Sequence, residues 1–168
     1  MGIIRPLEER DNKLIEDIIK NVFREFKLDK PGTVYSDPTT NNLYRLFETS
    51  GSKYWVAEED GKLVGGCGIY PNAGLPDNYA ELVKFYLLTS SRGKGIGKAL
   101  MGKCFISAIA LGYEHLYLES FPEFVTAVDM YEKVGFKHID KPLGNSGRYA
   151  CNVCMAKNFI KETHSRYL

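Results

Sequence analysis

Apolar positions near the start of the chain follow a helical rhythm. Leu14, Ile15, Ile18, Ile19, Val22, Phe23 and Phe26 recur at i, i+1, i+4 and i+5, which places them on one stripe of a helix. Asp11 stands where a helix cap is preferred. Ile3 and Ile4, followed by Arg5-Pro6, predict a short first strand. Residues 27–38 hold two prolines and a glycine and predict a loop. Thr39 to Phe47, carrying Leu43, Leu46 and Phe47, predicts a weaker second helix.

The pattern then shortens to strands. Lys53 to Glu58 contains Tyr54, Trp55 and Val56, and Asp60-Gly61 is a hairpin signal leading into a return strand from Leu63 to Tyr70. Gly65, Gly66 and Gly68 weaken that strand and mark a bulge or a close approach. After a turn-rich loop over 71–78, the stretch ELVKFYLLTSSRGKGIGKAL (Glu81 to Leu100) reads as strand, glycine-rich basic turn and helix start. The helix continues to about Leu111, with Ile96, Leu100, Cys104, Ala108 and Leu111 near one face, and Gly112 ends it. His115 to Glu119 predicts a strand. Ser120 to Glu123 matches a capping box for a helix that runs to about Val134, with Gly135 as its C-terminal cap. Phe136 to Asp140 and Tyr149 to Lys157 predict the last strands, on either side of a turn at Gly144 to Gly147.

Hairpins come first and strand–helix–strand units later. That order predicts one α/β (α+β) domain over 1–168, with a mixed central sheet and helices on both faces. The length of 168 residues suits one domain with a sizeable core. Hydrophobic residues are 44% and charged residues 26%, as in globular chains. A net charge of +1 argues against a nucleic-acid binder that needs a broad basic face. No apolar run reaches the ~18 residues of a membrane span. The N-terminus turns charged within a few residues, unlike a secretory signal, so cytoplasm is the default location. Cys67, Cys104, Cys151 and Cys154 are expected to be reduced there, and His115, His138 and His164 do not cluster. The Cys151/Cys154 pair has no second pair at zinc spacing, so no metal is expected.

The candidate chemistry lies in the glycine-rich turn. Backbone N–H groups at a helix start form an anion nest, and Arg92 and the lysines add positive charge around it. A dinucleotide fingerprint fails at Lys98 and again at Leu100. A Walker pattern from Gly97 to Gly102-Lys103 fails at Cys104, which lacks the hydroxyl that binds magnesium. The pattern [QR]-x-x-G-x-[GA] fits as Arg92-Gly93-Lys94-Gly95-Ile96-Gly97.

This run resembles the signature of the GNAT superfamily of N-acetyltransferases. A second family signature, a helix ending in a Tyr-Glu-Lys-x-Gly-Phe box, has its counterpart in Tyr131-Glu132-Lys133-Val134-Gly135-Phe136. The resemblance implies acetyl-coenzyme A as acyl donor. Its pyrophosphate would rest on Arg92, Gly93, Lys94, Gly95, Ile96 and Gly97, with Lys98 following. The pantetheine arm would pair with Phe85 to Leu87 like an added strand. The amide of Leu87 or Leu88 would polarise the thioester as an oxyanion donor. Tyr131 would donate a proton to the departing thiolate. Glu81 stands where many members carry an acid, and is the candidate base that takes the amine proton directly or through water. By strand alternation Glu81, Val83, Phe85 and Leu87 would share one face. Many members carry Asn near the start of the second-signature helix to contact the arm. None occurs over Ser120 to Phe124, which leaves Ser120 to supply that contact.

In this fold the acceptor side is built by three connections, here about 27–38, 70–80 and 141–149. They offer Tyr35, Tyr70, Tyr79 and Arg148 beside Glu81 as substrate-binding candidates, a set that suits a small polar amine. The chain is expected to act as a monomer or homodimer. A peptide acetyltransferase and a non-catalytic acyl-coenzyme A sensor are the alternatives.

Overall fold

The computed structural model describes residues 2–148 and 150–160. Its strands are β1 Ile3–Pro6, β2 Lys53–Glu59, β3 Lys62–Tyr70, β4 Tyr79–Leu87, β5 His115–Ser120, β6 Lys137–His138 and β7 Val153–Asn158. They form one sheet in the order β1-β2-β3-β4-β5-β7-β6. Every neighbouring pair is antiparallel except β4 and β5, which are joined by a helical crossover and run parallel. The helices are α1 Asn12–Glu25, α2 Leu43–Leu46, α3 Ile96–Ala110 and α4 Val125–Lys133.

Two buried clusters lie on the two faces of the sheet. On one, Ile15, Ile18, Ile19 and Phe23 of α1 pack with Tyr54, Val56 and Phe121. On the other, Ile96, Leu100, Met101, Cys104 and Ala108 of α3 pack with Ala57, Cys67, Leu116 and Met155, and Tyr131 of α4 joins them. Leu14 and Leu111, placed on the stripes by spacing, are exposed at their edges.

Several local expectations are corrected. The second helix breaks into 3-10 turns and a single α-turn, because Asp37 caps Thr39 and Asn42 caps Arg45 within one short stretch. Asp11 does not cap α1; it accepts from the Glu8 amide at 2.8 Å and pairs with Arg5 at 2.7 and 2.9 Å. The capping box at Ser120 does not form, because Ser120 is still paired to Val153 and α4 starts five residues later. The penultimate strand shrinks to Lys137–His138, and the last begins at Val153. Tyr149, where it was expected to begin, lies outside the described residues.

The glycines of β3 have a definite purpose. A Cβ on Gly66 or Gly68 would stand 2.5 Å from the Tyr54 ring, so only glycine lets that ring lie flat across the strand. From there the Tyr54 hydroxyl donates to the Lys84 carbonyl at 2.7 Å. Lys84 has φ +52, and β4 slips register there: Gly68 faces Val83 and Gly66 faces Tyr86, so Lys84 and Phe85 share the place opposite Cys67. This is a β-bulge. It breaks the expected alternation. Val83 and Lys84 point to the α1 and α2 side, where Lys84 meets Asp37, whereas Phe85 and Leu87 turn to the α3 cluster. Glu81 therefore does not share a face with Phe85 and Leu87. Beyond Glu81, opposite Tyr117, β4 and β5 no longer pair, and the sheet splits.

Candidate active site

The split opens into a cleft of about 600 Å³, walled by β4, β5, α4 and the turn before α3. At one end lies the glycine-rich turn. Gly93 and Gly95 adopt φ +75 and +84, and no atom stands within 4 Å of where either would carry a Cβ. Gly95 is the N-cap of α3, and no side chain caps that helix start. Open amides and a helix dipole at this point are an arrangement that can hold an anion. Gly97 and Lys98 also line the cleft.

Arg92 and Lys94, whose positive charge was expected around this nest, are each held by a carboxylate. Arg92 forms a forked pair with Glu25 at 2.8 and 3.0 Å, with its guanidinium over the Phe26 ring. Lys94 pairs with Glu59 at 2.9 Å, and Ser91 donates to the same carboxylate at 3.0 Å. Two carboxylates thus brace the turn, and what it offers to the cleft is main chain. Ile96 is buried in the core and contributes only its backbone.

Arg92 also reaches into the split. Its Nε and Nη2 donate to the Leu87 carbonyl at 3.1 and 2.9 Å. Successive residues of a strand direct their N–H groups to opposite edges. The Leu88 amide is spent on the Val64 carbonyl at 2.9 Å, so Leu88 cannot polarise a ligand. The Leu87 amide faces the split with its own carbonyl, and is the remaining donor of the two. Phe85 lies beside it on the cleft wall, with its ring centroid 6.1 Å from that of Tyr131.

Tyr131 lies on the opposite wall, on α4, which Gly135 terminates at φ +101. Burial pushes its phenol well above the ordinary value, so the hydroxyl stays protonated. Among the described residues that hydroxyl makes no hydrogen bond with another side chain. Ser120 and Glu119 continue the wall along β5.

Where the split begins, charged side chains cross the sheet. Glu81 is fully buried; Arg148 donates to one carboxylate oxygen and Asn72 to the other. Arg148 also approaches Glu119 at 3.3 Å. Glu119 is held in turn by Tyr117 at 2.9 Å and Ser146 at 2.5 Å. Burial raises the Glu81 pKa; the Arg148 charge opposes this, the Glu119 charge adds to it, and the net direction is upward. Glu81 lines neither cavity, so its carboxylate has no open path for direct contact with an amine.

A second cavity of about 240 Å³ lies on the other side of Arg148 and Lys84, which line both. Its walls include Asp37 and Thr39, Tyr70 and Asn72, and Ser146. The three connections named from sequence do meet there. Tyr70 is part of the wall, whereas Tyr79 stacks on His115 at 4.3 Å and Tyr35 sits under Arg24 at 5.5 Å, both outside the two cavities. Sequence reasoning passed over Lys84, Glu119 and Asn72. A lysine inside the otherwise apolar run Leu82 to Leu88 was a readable signal for the first.

Among the described residues, no group of His, Cys, Asp and Glu side chains is placed to hold a metal ion, and no helix is long and apolar enough to cross a membrane.

Known proteins resemble this chain in sequence and in fold. Residues 17–136 match the family described as "Acetyltransferase (GNAT) family". The chain is 38% identical over 157 residues to the uncharacterized N-acetyltransferase YjgM of Escherichia coli K12, covering 92% of this chain and 93% of that protein. Its fold is similar to a GNAT-family acetyltransferase from Staphylococcus aureus Mu50, with TM-score 0.84 and 21% identity over 95% of this chain and 99% of that one. It is also similar to the PaiA N-acetyltransferase of Thermoplasma acidophilum in complex with coenzyme A, with TM-score 0.73 and 20% identity over 94% of this chain and 99% of that one.

Proposed function

The chain belongs to the GNAT family of acetyltransferases, and we propose that it moves the acetyl group of acetyl-coenzyme A onto the primary amine of a small molecule. The observation that carries this reading is the split between β4 and β5. It leads from an open-amide cradle, past a free strand amide and a protonated phenol, to a second small polar cavity.

The coenzyme supplies a thioester-activated acetyl group. The chain's part is to bind and orient it. The amides of Gly93 to Gly97, at the start of α3, hold the pyrophosphate, with Lys98 beside them. Phe85 to Leu87 offer the free strand edge to the pantetheine arm, and Ser120 faces it from β5. The Leu87 amide donates to the acetyl carbonyl oxygen, where negative charge grows as the amine attacks. Arg92 fixes that peptide by holding its carbonyl.

An alkylamine with pKa ~10.4 is neutral in roughly one molecule per thousand or fewer at pH 7, so its proton must be removed. Glu81 is the acceptor for that proton. Arg148 and Asn72 seal it against direct contact, so the proton reaches it through a water that bridges when one of these two side chains moves aside. Its raised pKa brings it closer to the working pH. Tyr131 donates its proton to the sulfur as the thiolate leaves.

The test is thiol release from acetyl-coenzyme A across a panel of small amines and lysine-bearing peptides, with coenzyme binding followed separately by calorimetry. Turnover with small amines supports the reading. Turnover with peptides alone overturns the choice of acceptor, and absence of coenzyme binding overturns the whole.

A further inference from the structure

The wall between the two cavities holds two cations, Lys84 buried and Arg148 half-buried. Lys84 is 6% exposed and is itself the left-handed residue of the bulge, a conformation unfavourable for a non-glycine residue. Arg148 enters from the connection before β7. The hydrogen-bond inventory around them is one-sided. Every carboxylate oxygen of the cluster already has a donor: Glu81 has Arg148 and Asn72, and Glu119 has Tyr117 and Ser146, with Arg148 as an ion-pair partner at 3.3 Å. In Asp37, one oxygen takes the Thr39 amide and hydroxyl and the other takes Lys84 at 3.1 Å.

The cations are less fully used. Of the five N–H donors of a guanidinium, Arg148 commits only those of Nη2. Its Nε and Nη1 make no hydrogen bond among the described residues. Lys84 Nζ reaches Asp37 and, at 3.4 Å, Thr40, which leaves one of its three donors. Both side chains line both cavities. The unspent groups are thus donors on cations, and they lie where an acceptor must pass to reach the Leu87 amide.

From this we propose that Lys84 and Arg148 form a carboxylate-binding pair and that the acceptor is a free α-amino acid. This rests on the acetyltransferase reading above and narrows its substrate. The carboxylate sits at the junction of the cavities, the amine points into the cleft, and the side chain occupies the second cavity. That cavity has the volume of about eight waters at ~30 Å³ each, enough for a single amino-acid side chain. Its mixture of Tyr70, Leu46, Asn72 and Thr39 suits a side chain of intermediate polarity. Burial lowers the Lys84 pKa against the pull of Asp37, and the negative charge of a bound carboxylate would add to that pull.

The test compares each L-amino acid with its own amide as acceptor, read as thiol release from saturating acetyl-coenzyme A. The amide keeps the side chain and the amine and removes only the anionic carboxylate. Loss of charge-assisted hydrogen bonds corresponds to a fall in kcat/KM of roughly 10- to 150-fold. At least one free amino acid is therefore expected to outrun its amide by that margin. In Lys84→Met its KM rises about tenfold or more, while acetyl-coenzyme A affinity stays as in the parent. Equal or faster acetylation of the amides overturns the proposal. So does acetylation of C-terminally amidated peptides alone, or a protein that binds acetyl-coenzyme A in the calorimeter and accepts no amino acid. If acetyl-coenzyme A itself does not bind, the acetyltransferase reading is what fails, and this proposal falls with it.

Discussion

The Tyr54 hydroxyl of β2 donates a 2.7 Å hydrogen bond to the carbonyl of Lys84 on β4, across the intervening strand β3. It clamps a left-handed residue in the middle of a strand, and the bulge there turns Phe85 and Leu87 toward the cleft. Tyr54→Phe keeps the ring and leaves a buried carbonyl without its donor. The expected loss is about 1–3 kcal/mol of stability, read from the urea midpoint. kcat should fall, and acetyl-coenzyme A affinity should fall with it, because the bulge sets the Phe85 to Leu87 edge proposed to hold the pantetheine arm. An unchanged midpoint together with unchanged turnover would show that the bulge needs no clamp.

Much of this arrangement was readable beforehand, and the parts that were not have a common origin. The cradle was legible because a run of glycines at a helix start is a local signal: Gly93 and Gly95 need their conformations whatever surrounds them. The glycines of β3 announced a close approach, but not that Tyr54 would fill it, since Tyr54 comes from the neighbouring strand. One extra residue at Lys84 reversed the facing of everything after it, and periodicity alone cannot register such a slip. The Glu81–Arg148–Glu119 cluster joins residues from β4, β5 and a late connection, so no sequence window contains it. Tyr79 went the other way: its composition suited a pocket, but a parallel neighbour, His115, captured its ring.

Tyr131→Phe removes one hydroxyl from a buried ring packed on Phe85 and Phe136 and keeps the packing. If the hydroxyl protonates the leaving sulfur, kcat falls by roughly 10²- to 10⁴-fold, with acetyl-coenzyme A binding unchanged by calorimetry. A decrease below about threefold would assign Tyr131 to the wall and not to the chemistry.

Glu81→Gln tests the base through the pH profile. A base acts only when ionised, so kcat/KM falls as pH drops through its pKa. Burial sets that pKa above the ordinary ~4.3 of a glutamate, despite Arg148. The parent should therefore show an acidic limb above that value. The variant should lose the limb together with about 10²-fold or more of its rate. An acidic limb that survives in Glu81→Gln belongs to another group.

The central claim is that the amides from Gly93 to Gly97 cradle a pyrophosphate, and titration calorimetry with acetyl-coenzyme A measures it most directly. Gly95 sits at φ +84 with open space where a side chain would stand, so Gly95→Ala strains the backbone without filling a core. That conformation costs an L-residue about 1–2 kcal/mol, which corresponds to roughly a tenfold change in affinity if the cradle relaxes to relieve it. The prediction is one equivalent of acetyl-coenzyme A bound by the parent and about tenfold weaker binding by Gly95→Ala. Failure of the parent to bind, or identical affinity in the two proteins, would contradict it.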